Sequence, residues 1–303
     1  MTRYILVVGS LNMDLVVHAP RHPQPGETIL GDDFRTFPGG KGANQAVAAA
    51  RLGAHVKMIG RVGSDAFGDH LLQALAQDKV DTLHVRRDSE AATGVALITL
   101  DAAGQNTIVV TPGANGRVSP QDIEAAEGLF ANAAVLLVQL ECPLEAVARA
   151  VELAQHHHVH VILNPAPAQP LDPQLLARVD TLVPNQNELA SLTGLDDMQA
   201  AVEKLRSLGV ARVIVTLGGE GALVSEAETH EQVPAPRVNV VDTTAAGDAF
   251  VSALAVALTE GLPTRAAVEW GCAAGALAVT RAGAQPSLPS RAELERFFES
   301  PHS

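Results

Sequence analysis

Residues Val241 to Phe250, VDTTAAGDAF, set two threonines, small residues and two aspartates between a strand-like run and an apolar helical segment. Small residues at such a turn let the backbone approach a ligand closely. The helix that follows offers unpaired N–H groups and the positive end of its dipole to an anion. Asp248, on the first helical turn, is placed to take a proton from a hydroxyl while phosphate is held beside it. An aspartate of ordinary pKa, near ~4, is ionised at neutral pH. The spacing suits phosphoryl transfer. Asp and Thr also serve as ordinary helix caps, so this stretch alone leaves a capped helix equally open.

A second set lies near the amino terminus. Residues Pro38–Gln45, PGGKGANQ, precede an alanine-rich helical segment. They do not form the phosphate loop G-x-x-x-x-G-K-[ST], because Arg35 stands at the first glycine position and Gly42 follows the lysine. The mixture suits a polar neutral ligand instead. Gly39 and Gly40 bring backbone groups close, and Lys41 and Asn44 supply donors. Ser10, Asn12 and Asp14 follow the first strand, where α/β sheets bind ligands. Asp14 can accept from two hydroxyls, and Asn12 can donate and accept. Each cluster alone is also a plausible polar turn. Together with Asp248 they describe a hydroxyl-rich substrate facing a base.

Composition narrows the classes. A net charge of −13 argues against a nucleic-acid or anionic-membrane surface, so any phosphate site must be local. Hydrophobic residues at 47% supply a large core, and aromatics at only 3% suit close packing of helices on a sheet. Cys142 and Cys272 lack C-x-x-C or metal spacing and read as reduced thiols. The chain opens directly on a strand pattern, and no apolar run reaches the ~18 residues of a membrane span. A cytoplasmic protein is expected.

Those residues need a scaffold. Strands are expected at 4–8, 55–59, 135–137, 159–163, 181–183 and 212–216. Helices are expected at 43–52, 66–78, 120–130, 144–155, 198–208, 246–260, 265–279 and 291–298. Continuous apolar strands alternating with helices predict an α/β fold, a central mostly parallel sheet sandwiched by helices. Gly53 and Gly209 stand where helices should end. Segments of about residues 15–37 and 93–111 break the rhythm with alternating residues and turns, and predict a small β-appendage. The run His156–His158 falls at a helix end, where positive charge is favourable, and lacks partners at metal-ligand spacing.

In order along the chain, GSLNMD, PGGKGANQAVAAARLGA, ATGVALI, LNPAPA, PNQNE, VTLGGEGA, DTTAAGDAF and AVTRAGAQPS resemble the motifs of the ribokinase-like sugar kinases. The resemblance covers residues 3–299 and implies one kinase domain over residues 1–303, with the two odd segments forming a β-sheet lid that also makes a homodimer contact. It implies ATP-dependent phosphorylation of D-ribose at the 5-hydroxyl, with related kinases of deoxyribose, fructose or a nucleoside as the alternative. A sugar-binding protein without catalysis is the reading from another class.

By that resemblance Asp248 is the catalytic base, and Ala245, Ala246 and Gly247 form an anion hole. Asn12, Asp14, Gly40, Lys41, Asn44 and Glu141 fall on sugar-contacting positions, flanked by Met13, Gly39 and Gly42. Met13 is expected to crowd the sugar pocket. Asn185 and the loop Thr216, Leu217, Gly218, Gly219, Glu220, Gly221 match nucleotide-binding positions, with Gly247 beside the phosphates and Cys272 near the base. Glu188 matches a position that organises magnesium through water. Asp242, Thr244, Ala278, Arg281, Gly283 and Ser287 match a potassium site, several through backbone carbonyls.

Overall fold

A computed structural model describes residues 3–227 and 229–299. Its strands fall into two sheets. The larger has nine strands: β1 (Tyr4–Val8), β4 (Val56–Gly63), β5 (Asp81–Asp88), β8 (Ala133–Val138), β9 (His160–Leu163), β10 (Thr181–Leu182), β11 (Arg212–Thr216), β12 (Ala222–Glu226) and β13 (Thr229–Val233). Their spatial order is β13-β12-β11-β10-β9-β8-β1-β4-β5. All neighbours pair in parallel except β11 with β12 and β12 with β13.

The sequence of β1, YILVV, explains its central place. Every residue is buried, and alternate side chains enter opposite layers. Ile5 and Val7 join the core under the helices Lys41–Arg51, Ala246–Thr259 and Thr264–Ala278. Leu6 and Val8 join the core under Leu144–His156 and Met198–Ser207. A parallel strand between two helical layers must be apolar on both faces.

The smaller sheet has order β3-β2-β6-β7, built from β2 (Asn12–His18), β3 (Asp33–Gly39), β6 (Gly94–Leu100) and β7 (Asn106–Thr111). It arises from the two segments that break the α/β rhythm, and its strands reach back to Asn12 and forward to Gly39. Asn12 and Asp14 therefore lie on this sheet with Gly39, while Lys41 and Asn44 lie on the Lys41–Arg51 helix.

Several elements differ from the sequence reading. Strands β5, β12 and β13 and the helices Pro173–Leu176 and Gln186–Thr193 are additional. The expected helix over residues 120–130 splits into Pro120–Ala125 and a 3-10 turn, Glu127–Asn132. Leu52 and Leu208 end their helices, and Gly53 and Gly209 follow at φ +96° and +100°.

Candidate active site

The carboxyl ends of β1, β8, β9, β10 and β11 lead into Ser10, Glu141, Asn164, Asn185 and the 216–221 loop. The Lys41–Arg51 helix starts against this edge. Its cap, Gly40, has φ +87°, and a Cβ there would lie 2.7 Å from the Asn12 nitrogen. A Cβ on Gly42 would lie 2.5 Å from the Gly9 carbonyl carbon. The helix thus abuts the turn after β1 because glycine leaves no side chain between them. Glu141 accepts from the Lys41 N–H at 3.1 Å and from the Ser10 hydroxyl, placing a carboxylate at the positive end of that helix.

Asp248 is 5% exposed on the first turn of the Ala246–Thr259 helix. Its Oδ2 accepts from Asn44 Nδ2 at 3.0 Å and its Oδ1 from Gln45 Nε2 at 3.1 Å. Burial pushes this carboxyl above the ordinary range, against the pull of the Lys41 ammonium and the two amide donors. An ordinary aspartate pKa therefore does not apply, and Lys41 and the amides carry the task of keeping the group ionised. Burial works against the Lys41 charge, but Asp248, Glu141 and Glu188 hold it above the usual lysine value. Burial, then Glu141 and Asp248, raise Asp14 to about 7. The Asn44 Oδ1 is buried without a partner, an acceptor facing this polar corner.

Ala245 caps the Ala246–Thr259 helix at φ 59°, a left-handed conformation that costs a non-glycine residue roughly 1–2 kcal/mol. A left-handed residue followed by helical ones turns successive N–H groups toward one concavity, a geometry suited to anions. Ala245 and Gly247 line a cavity of about 200 Å³ together with Lys41, Asn185, Glu188 and Asp248. A second cavity of about 500 Å³ shares Thr216, Thr243 and Gly247 with it. Val238, Val240, Phe250, Cys272 and Val279 give it apolar walls. A slot for a flat apolar group thus opens onto a polar chamber containing a buried carboxylate.

The expected residues do not all converge. Gly218, Gly219 and Gly221 line the larger cavity, as does Cys272. Leu217 packs on the core beneath it, and the Glu220 carbonyl accepts from Gln232. Met13 is fully buried in the core, because strand alternation turns it away from Asn12 and Asp14. The expectation that it crowds the sugar pocket is corrected. A Cβ on Gly39 would lie 2.3 Å from Asp14 Oδ2, so that glycine makes room for the carboxylate. Asn12 Oδ1 accepts from Asn115 at 2.7 Å. Asn185 and Glu188 form a reciprocal capping box at 2.8 Å in each direction while also lining the polar cavity. Sequence reasoning missed Asn164, Thr243 and the apolar wall. Only the LNPAPA and DTTAAGD motifs signalled the first two.

Asp242 joins two segments. Its Oδ1 accepts from the Thr244 N–H at 2.9 Å and hydroxyl at 2.6 Å, and its Oδ2 from the Gly283 N–H at 2.8 Å. The Ser287 hydroxyl donates to the Ala284 carbonyl, and the Arg281 guanidinium turns to Glu293. Asp242 thus ties the 242–244 turn to the Gly283 backbone. Among the described residues no group of three or more His, Cys, Asp or Glu can hold a metal. Besides Asp248, the carboxylate lining the polar cavity is that of Glu188.

The family profile of the pfkB family carbohydrate kinases matches residues 2–291, and the chain belongs to that family. It is 41% identical to a ribokinase of Haemophilus influenzae, across 99% of both chains. It is 38% identical to a deoxyribokinase of Salmonella typhimurium, across 97% of both. The solved Arabidopsis thaliana ribokinase complexed with ribose and ATP superposes with a TM-score of 0.92 at 35% identity, covering 99% of this chain and 100% of that one.

Proposed function

We propose that this chain transfers the γ-phosphoryl group of ATP to the 5-hydroxyl of ribose. The observation that carries this reading is the buried Asp248 carboxylate lining a polar chamber that adjoins an apolar slot at Gly247. The relatives named ribokinase, one of them complexed with ribose and ATP, support the choice of substrates. Phosphoryl transfer is loose, so positioning and charge neutralisation supply most of the catalysis. Asp248 accepts the hydroxyl proton as the new bond to phosphorus forms. The N–H groups of residues 245–248 hold the phosphoryl oxygens. Asn12, Asp14, Gly40, Lys41, Asn44 and Glu141 surround the sugar, and Asn185 and the 216–221 loop flank the nucleotide. Glu188 would orient the waters of a magnesium ion carried with the nucleotide, which would neutralise phosphate charge. Asp242, Ser287 and the carbonyls of residues 244, 278, 281 and 283 would hold potassium and steady the turn beneath the anion hole. The free, buried thiols accord with a cytoplasmic setting, and among the described residues no helix is long and apolar enough to cross a membrane.

The test is ADP release from Mg-ATP with ribose, 2-deoxyribose, fructose or adenosine, with and without potassium. Ribose-dependent turnover that rises with potassium is expected. Preference for deoxyribose would keep the chemistry and overturn the substrate. Folded protein that binds ATP and stays silent on every sugar would leave a binding protein.

Asp14 must be ionised to accept two hydroxyls. With its pKa at about 7, sugar affinity should climb as pH rises through neutrality, with proton release on binding. The folded protein keeps a proton that the unfolded chain loses above pH 3.8. This group's stabilising contribution is therefore greatest at acid pH and is lost as pH rises through about 7. Asp14→Ala should raise the sugar KM far more than the ATP KM and flatten both slopes. Equal changes in the two KM values, seen in steady-state kinetics, would make Asp14 merely structural.

The exposed face of the small sheet supports a homodimer. Its cross-strand register puts Val17 opposite Phe34, Leu15 opposite Leu97, and Leu97 opposite Val109 on one face. Phe34, Leu97 and Val109 are 60%, 49% and 62% exposed. Such a face invites pairing. Sedimentation should give twice the 31.5 kDa chain mass, and Phe34→Lys should halve it. A monomeric parent would remove this role.

A further inference from the structure

Both amides that donate to Asp248 are themselves buried. Behind Asp248 lies Gln45, fully buried, whose Nε2 donates to Asp248 Oδ1 at 3.1 Å and to Asn164 Oδ1 at 3.2 Å. The Oε1 of Gln45 accepts from Gln139 Nε2 at 2.6 Å, and Gln139 is fully buried as well. The direction of these amides is fixed from outside. Asn164 Nδ2 donates at 3.0 Å to the Val183 carbonyl, which can only accept. Asn164 must then turn its oxygen to Gln45, and Gln45 must present its NH₂ there. The same NH₂ reaches Asp248. Gln139 completes the chain by occupying the Gln45 oxygen. Gly9 makes room for it, since a Cβ at that position would lie 2.1 Å from Gln139 Oε1. The Gln139 oxygen has no partner of its own, so hydrogen bonding through its NH₂ is the role the surroundings show.

We propose that Gln139 and Gln45 form a positioning relay that locks one oxygen of the Asp248 carboxylate as an acceptor and leaves the other, beside Asn44, to receive the substrate proton. Neither glutamine is a catalytic residue. A reversed Gln45 amide would present an oxygen to Asp248 and favour the protonated carboxyl, which cannot act as a base. The relay makes that arrangement costly, because an oxygen would then face the oxygens of both Asn164 and Asp248. Ser252 Oγ lies 3.0 Å from the Gln45 carbonyl and 2.7 Å from the Asp248 carbonyl, and its one proton bridges that side of the pair. Lys41, Asp14, Glu141 and Glu188 also face Asp248 and act on it by charge through space, whereas Gln45 acts through a hydrogen bond.

This rests on Asp248 acting as the base, and the experiment separates the two ideas. Gln45→Met and Gln139→Met would be assayed as full-length protein with Mg-ATP and ribose across pH. Methionine keeps much of the volume while deleting the amide. Gln45→Met should lower kcat by ~10-fold or more, the scale of partners that orient a functional ligand, with the ribose and ATP KM values within ~2-fold of the parent, since neither substrate is expected to touch Gln45. The acidic limb of the kcat profile should move to higher pH, because a donor favouring the charged carboxylate is gone. Gln139→Met should shift the limb in the same direction by a smaller amount. It also guards against a Gln45 variant that fails to fold. Gln45→Glu, which adds a like charge, should move the limb farther. Folded Gln45→Met and Gln139→Met with an unmoved acidic limb would overturn the relay, whether or not kcat or the thermal midpoint fell. If Asp248→Asn itself stays active, the base assignment fails instead.

Discussion

Asp248→Asn is expected to cut turnover by roughly 10²-fold or more, the usual worth of a general base, while the protein remains folded. Both carboxylate oxygens accept amide N–H groups, so an asparagine NH₂ must face one donor. Asn44 can resolve that conflict. Its own oxygen is buried and unpartnered, and turning the amide over lets it accept the new N–H. Burial already raises the Asp248 carboxyl, so removing its charge relieves a desolvation penalty. The thermal midpoint should therefore stay near that of the parent. ADP release in a coupled assay, alongside calorimetry, checks both halves. A pure, folded variant turning over near the parent rate would end the base assignment.

The turn and helix that carry Asp248 were legible because the signal is local: small residues, Asp248 and an apolar helical run follow one another, and the structure builds them as one turn and helix, whereas the strand-like run at residues 237–241 is not a strand. Strand β1 was legible to the residue because a doubly covered parallel strand is an unbroken apolar run. Strand β13, THEQV, was not. It is largely exposed at the sheet edge and carries no core pattern. The Gln186–Thr193 helix was missed because it buries only Leu189 and Thr193, leaving little apolar periodicity to read. Met13 shows the finer limit. Its neighbours Asn12 and Asp14 were placed only as following the first strand, and only a strand of their own sends alternate side chains to opposite sides. Gln45 was within a recognised motif, yet its partners Asp248 and Gln139 are 203 and 94 positions away. Pairings of that span depend on the tertiary fold and leave no periodic trace in one sequence.

Gly247→Val should separate the anion hole from the scaffold more cleanly than any change to a charged residue. Gly247 sits on the first turn of the Ala246–Thr259 helix with ordinary backbone angles, and a Cβ there meets nothing within 4 Å. The fold therefore tolerates a side chain, and replacing a helical glycine gains a few tenths of a kcal/mol, ~0.3–0.5, in backbone preference. The space that is empty in the protein is the space the proposed reaction needs. Gly247 lines both the polar chamber and the apolar slot, at their junction. Two methyl groups there would stand where the phosphoryl oxygens must approach the N–H groups. Loss of such donors costs about 10²–10³ in rate, so kcat/KM for ATP should fall by at least ~10². Ribose binding, measured by calorimetry without nucleotide, should persist because Asn12 and Asp14 lie on a separate sheet. A raised or unchanged thermal midpoint with activity lost would locate the phosphoryl site by volume rather than by charge. Parent-like ATP kinetics would place that site elsewhere, whatever Asp248→Asn had shown.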